Sequence, residues 1–174
     1  MVDTAPFTVV RKKGRQHRAK INTPLPSDDQ ESVDTLCPIV GIGASAGGLE
    51  ALDLFLRNVP ADTRFAFVIV QHLEPTQKDF MVELLQRATA MRVIQVKDRT
   101  VVHPACVYVI PPNKEMCILH GTLHLLHRAS SHGLHLPIDF FFRSLADDQK
   151  ECGIGVILSG MGSDGSLGLQ AIKE

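Results

Sequence analysis

The sequence predicts a three-layer α/β domain: a mostly parallel, Rossmann-like sheet with helices on both faces and a small antiparallel β insert. Three observations predict it. The runs Pro38 to Gly43, Phe65 to Val70 and Ile154 to Ser159 are continuously apolar, with none of the polar alternation of a half-exposed strand, so each reads as a strand covered on both faces. Between the first two lies a segment with helical spacing of apolar residues, Gly48 to Arg57. The connections between the buried runs are also too long for hairpins, which leaves crossover connections and parallel pairing.

Taken in order, Leu49, Leu52, Leu54, Phe55 and Leu56 give Gly48 to Arg57 a wide apolar face. Phe80 to Ala88 is a second helical segment, followed by a short strand, Val93 to Val96. The rhythm then breaks. Val107 to Ile110, Met116 to Leu119 and Leu123 to Leu126 are separated by Pro111-Pro112-Asn113 and His120-Gly121-Thr122, spacings short enough for antiparallel hairpins, and these three runs are read as the insert. Ile138 to Ala146 resumes helix, with Pro137 near its start, where a missing N–H costs nothing. Ser166 to Glu174 is the last helical segment.

Composition narrows the function classes. The chain has 174 residues, 44% of them apolar, and a net charge of −1, which suits one globular domain with a real core. No apolar run approaches the roughly 20 residues that span a bilayer, and no secretory signal precedes the domain, so a cytoplasmic location without membrane insertion is expected. Residues 1–36 combine a basic run (Arg11, Lys12, Lys13, Arg15, Arg18, Lys20) with a Pro-, Ser- and Asp-rich stretch and read as a disordered polar arm; the folded domain spans residues 37–174. Without interleaved aromatic residues the basic run reads as solvated, and no nucleic-acid partner is expected. Cys37, Cys106, Cys117 and Cys152 form no C-x-x-C pair and are read as reduced, buried thiols.

The octapeptide Gly41-Ile42-Gly43-Ala44-Ser45-Ala46-Gly47-Gly48 fits two motifs. From Gly41 it is a phosphate-cradling turn of a dinucleotide-binding unit. From Gly43 it is G-x-S-x-G, an elbow that exposes a serine nucleophile between strand and helix. The second strand ends Val68-Ile69-Val70-Gln71, with no acidic residue placed to bind a ribose, and Asp62 lies before that strand on the wrong edge, so the nucleotide reading fails.

In a parallel sheet the C-terminal strand ends share one edge. Ser45, His72 and Asp164 each follow a predicted strand and so converge there. The chemistry fits the types: His72 takes the proton of Ser45 and returns it, and the Asp164 carboxylate fixes the imidazole tautomer and stabilises the imidazolium. The N–H of Ala46, at the helix start, is placed to receive an oxyanion. His120, His124, His127, His132 and His135 crowd sixteen residues, but His124 and His127 fall on opposite faces of a strand and no acid or cysteine completes a ligand set; no metal or cofactor is expected.

The chain order Ser, His, Asp differs from that of α/β-hydrolases. Four separated motifs, Ile42-Gly43-Ala44-Ser45-Ala46-Gly47-Gly48, Val70-Gln71-His72, His135-Leu136-Pro137-Ile138-Asp139 and Leu158-Ser159-Gly160-Met161-Gly162-Ser163-Asp164-Gly165, resemble the catalytic domain of the CheB-type protein-glutamate methylesterases, in order from about Pro38 to the end. The resemblance implies hydrolysis of glutamate methyl esters on bacterial chemoreceptors, with glutamine deamidation as a side activity. It places the triad on Ser45, His72 and Asp164, gives the backbone of Met161 a share of the oxyanion hole, and assigns His135 and Asp139 to helix capping or groove lining. Many members carry threonine where Ala46 stands. With no receiver domain ahead of residue 37, the chain looks like the methylesterase part of hybrids joined to CheR-type methyltransferase and sensory modules. The family's further strand and helix are expected after the aspartate turn, so the domain reads as C-terminally truncated, with a sheet edge uncovered. A catalytically silent interaction module of the same fold is the alternative function.

Overall fold

The computed structural model describes residues 8–11, 37–45, 48–71, 80–127, 136–159 and 163–174. In chain order the elements are strand β1 (Thr8–Arg11), β2 (Ile39–Ala44), helix α1 (Gly48–Arg57), β3 (Ala66–Gln71), α2 (Phe80–Ala88), β4 (Arg92–Gln95), β5 (Thr100–Val101), β6 (Cys106–Val109), β7 (Lys114–Leu119), β8 (Thr122–His127), α3 (Pro137–Gln149), β9 (Gly153–Ser159) and α4 (Ser166–Lys173). The main sheet has the order β1-β9-β2-β3-β6-β4 and is parallel except for β1, which runs antiparallel to β9. A second sheet, β5-β8-β7, is antiparallel.

β2 is buried along its whole length, because alternate side chains enter two different cores. Val40, Ile42 and Ala44 pack with Leu52 and Leu56 of α1 and Met81 and Leu85 of α2. Ile39 joins Phe141, Phe142 and Leu145 of α3, Ile172 of α4, and Met116, Ile118 and Leu123 of the small sheet. Helices α1 and α2 therefore cover one face, and α3, α4 and the small sheet the other. Burying apolar side chains at about 25 cal/mol per Å² makes these two cores the main stabilising contribution. Among the described residues no helix is long and apolar enough to cross a membrane.

Four readings of the sequence change. Val107 to Ile110 does not belong to the antiparallel insert: β6 lies in the main sheet, parallel to β3 and β4 and between them. Its side chains Val107 and Val109 face α1 and α2 while Tyr108 faces the opposite core, a two-sided burial that a hairpin strand could not reach. Thr8–Arg11, inside the segment read as a polar arm, forms β1 and covers the outer edge of β9. Leu54 sits on the outer side of α1 at 64% exposure, so the apolar face of that helix is narrower than the spacing suggested. The four cysteines are free thiols but only half-buried.

The β7–β8 hairpin turns on His120 and Gly121, both at positive φ (50° and 67°), the pattern of a two-residue type I′ turn. Asp148, near the end of α3, accepts the N–H of His120 and, at 3.0 Å, that of Gly121, which ties the small sheet to the helix beneath it.

Candidate active site

β2 runs between β3 and β9, and the register aligns their ends: Ala44 pairs with Gln71 on one side and Ser159 on the other. Whatever follows these three strands emerges at one edge. Ser45 directly follows β2, half-buried, and its C=O accepts the N–H of Gly48 at 2.8 Å, closing the turn into α1. Between Gly43 and Ala44 the register against β9 slips by one residue, an irregularity of the kind that re-aims a strand end next to a site.

Gly41 and Gly43 lie within β2 and face α3. A Cβ on Gly41 would come within 3.0 Å of Leu145 Cδ2 and Phe142 Cε1, and one on Gly43 within 2.6 Å of Ile138 Cγ2. The first two glycines of the motif therefore let α3 lie close on the sheet. The space beside them is filled by Ile138, Phe141 and Phe142, so no pyrophosphate can approach the backbone there, an independent ground against the nucleotide reading.

Asp164 stands in the turn after β9, half-buried, and its carboxylate is aimed by the backbone: Oδ2 accepts the N–H of Ile138 at 3.1 Å and Oδ1 that of Asp139 at 2.9 Å. Both donors are first-turn groups of α3, which has no partner within the helix for them. The residue at the helix start, Leu136, supplies no side-chain cap, and Asp164 takes that role from another segment. Gly165, at φ +95°, starts α4 in a left-handed conformation that glycine adopts without strain, and a Cβ there would collide with Ile157.

The described residues thus bring Ser45 and Asp164 to the same edge on neighbouring strands. His72 follows Gln71, the last residue of β3, and itself lies outside the described residues, as do Ala46, Met161, His132 and His135. Two features escaped the sequence reading. One is the donor pair on α3, visible in the sequence only as Pro137 opening a helix. The other is Gln71, whose Oε1 is buried at the strand end beside Ala44 with no hydrogen-bond partner among the described residues.

Of the remaining histidines, His124 Nδ1 lies 3.9 Å from Asp98 Oδ1, and His127 Nδ1 lies 3.1 Å from Lys114 Nζ. Among the described residues no three His, Cys, Asp or Glu side chains are grouped to hold a metal.

A doubly covered, mostly parallel sheet with Ser45 and the backbone-held Asp164 at adjacent strand ends defines a three-layer α/β domain with its candidate site at the C-terminal edge of the strands. The sequence matches the CheB methylesterase family over residues 40–174, and the chain belongs to that family. It is 37% identical over 136 residues to protein-glutamate methylesterase/protein-glutamine glutaminase 3 of Burkholderia orbicola (strain AU 1054), covering 78% of this chain and 40% of that protein. It is 33% identical over 156 residues to protein-glutamate methylesterase/protein-glutamine glutaminase 1 of Dechloromonas aromatica (strain RCB), covering 87% and 44%. The chain therefore spans less than half the length of these relatives. The fold is similar to the crystal structure of the Thermotoga maritima CheB methylesterase catalytic domain, with TM-score 0.70, 29% identity, and coverage of 78% of this chain and 74% of that one.

Proposed function

We propose that this chain is a serine esterase that hydrolyses glutamate methyl esters on the cytoplasmic region of bacterial chemoreceptors, and that it can deamidate glutamine at the same site. The observation that carries the reading is the pairing of Ser45 and Asp164 at adjacent strand ends, with the Asp164 carboxylate fixed by two backbone donors.

Ser45 Oγ attacks the ester carbonyl carbon while His72 takes its proton. The carbonyl oxygen becomes an oxyanion that the backbone N–H groups of Ala46 and Met161 receive. Collapse of this intermediate expels the methoxy group, which takes the proton from the imidazolium and leaves as methanol. Water, deprotonated by His72, then attacks the acyl-serine; the carboxylate is released and the proton returns to Ser45. With an amide substrate the first leaving group is ammonia. β3 and β9 flank β2 on opposite sides, so the strands that precede His72 and Asp164 lie on either side of the one that precedes Ser45.

The names of the relatives support a methylesterase and glutaminase. A cytoplasmic setting, methylated receptors as partners, and association with a CheR-type methyltransferase or sensory modules belong to the same proposal. The test is methanol release from methylated receptor membranes by the chain and by its Ser45→Ala form. The wild-type chain releases methanol and the variant does not; equal rates sink the esterase reading, and no release from either makes the domain a silent interaction module.

A further inference from the structure

Asp139 supplies one of the two N–H groups that hold Asp164, and its side chain is buried, at 3% exposure. Its Oδ1 accepts the N–H of Gly168 at 2.6 Å. Gly168 is in the first turn of α4, whose starting residue Gly165 has no side chain to cap it. Each helix therefore receives its cap from the other: Asp164, just ahead of α4, caps α3, and Asp139, in the first turn of α3, caps α4. The two hydrogen bonds run in opposite directions and close a ring through Asp164, Asp139 and Gly168. The ring is tight, since a Cβ on Gly168 would lie 2.5 Å from Phe142 Cβ and 3.1 Å from Asp139 Cα. Asp139 Oδ2 is buried with no hydrogen-bond partner among the described residues. A buried acceptor left unpaired is unfavourable, a cost that Asp139 carries beside the bond its Oδ1 accepts from Gly168.

The geometry points to Asp139 as a positioning residue of the esterase reaction: by holding the start of α4 against the start of α3, it fixes the direction of the Asp164 carboxylate. It touches no substrate. The inference rests on the reading of Asp164 as the group that orients His72. In that role the angle of the carboxylate matters, and a misplacement of about 1 Å at such a group lowers turnover roughly 100-fold.

The test is a double-mutant cycle on kcat and KM for methyl-ester hydrolysis with Asp139→Ala, Asp164→Ala and the double variant, each checked for folding by thermal melting. Asp139→Ala is expected to lower kcat about 100-fold with KM little changed, and to have almost no further effect once Asp164 is alanine. Asp139→Asn, which keeps an acceptor for the Gly168 N–H, is expected to restore most of the turnover. If Asp139→Ala lowers kcat by the same factor with and without Asp164, its role is independent of Asp164 and the proposal falls. It falls equally if Asp139→Ala and Asp139→Ser both fail to fold, because the residue is then structural. Wild-type kcat in Asp164→Ala overturns instead the reading of Asp164 on which the inference rests.

Discussion

Replacing Gly43 by alanine tests how the glycine motif works. The Cβ would stand 2.6 Å from Ile138 Cγ2 and 3.2 Å from Ile138 Cδ1, whereas carbon atoms rest comfortably at about 3.5–4.0 Å. Ile138 and the start of α3 must retreat by about 1 Å. Overpacking of this kind costs about 1–3 kcal/mol, which for a chain of this size lowers Tm by about 2–12 °C. The backbone alone argues the opposite sign, because alanine in a strand is roughly 0.5–1 kcal/mol better than glycine. Ile138 also carries the N–H that Asp164 Oδ2 accepts at 3.1 Å, so a retreat of that size takes the bond beyond hydrogen-bonding range and turnover falls with stability. Thermal and urea melts of Gly43→Ala, Ile138→Ala and the double variant check the stability, and methanol release checks the turnover. In the Ile138→Ala background the clashing methyl is gone and Gly43→Ala is expected to be neutral or stabilising, a coupling of about 1–3 kcal/mol. A stabilised Gly43→Ala single variant, or equal costs in both backgrounds, refutes the packing role assigned to this glycine.

Tyr108 is the only tyrosine and the chain has no tryptophan, so ultraviolet absorbance follows this one phenol. Burial pushes its pKa up to about 12, against a lowering influence from the N–H of His103, which the phenol oxygen accepts at 2.9 Å. The raised value means that its contribution to stability is complete below the unfolded value of about 10 and is lost as pH rises through about 12; titration midpoints near 12 folded and 10 in denaturant are expected, and a folded midpoint of 10 contradicts the burial. Burial raises the Asp148 carboxyl, but the N–H of Gly121, the Gln149 amide and the N–H of His120 outweigh it and hold the group below its ordinary value. Its contribution is therefore present above about pH 3.9 and is lost as pH falls through the lower folded value; Asp148→Ala is expected to cost about 1–3 kcal/mol by urea melts at pH 7 and much less near pH 2.

The parallel sheet was legible because burial on both faces leaves a simple mark, the unbroken apolar run, and helices 48–57 and 80–88 had clear spacing between breakers. The placement of β6 was not. Pro111-Pro112-Asn113 is short enough for a hairpin, but β6 pairs with β3 and β4 while β7 pairs with β8, so the turn joins two sheets and only long-range contacts decide it. β1 offered four residues with a single half-buried valine, Val10, too little pattern to stand out from a polar arm. At the site, strand ends alone pointed to Ser45 and Asp164, which the structure brings to one edge, and to His72, which lies outside the described residues. The α3 donors, the exchange of caps between α3 and α4, and the packing use of Gly41 and Gly43 all depend on how α3 docks across the sheet, which no local spacing encodes.

Reaction of the folded chain with a serine-directed phosphonofluoridate, followed by mass spectrometry of its peptides, asks whether Ser45 is an activated nucleophile. One adduct per chain on Ser45, formed rapidly in the wild type and lost in His72→Ala, is the predicted result. No adduct, an adduct on another serine, or equal labelling of Ser45 without His72 contradicts the serine-esterase mechanism.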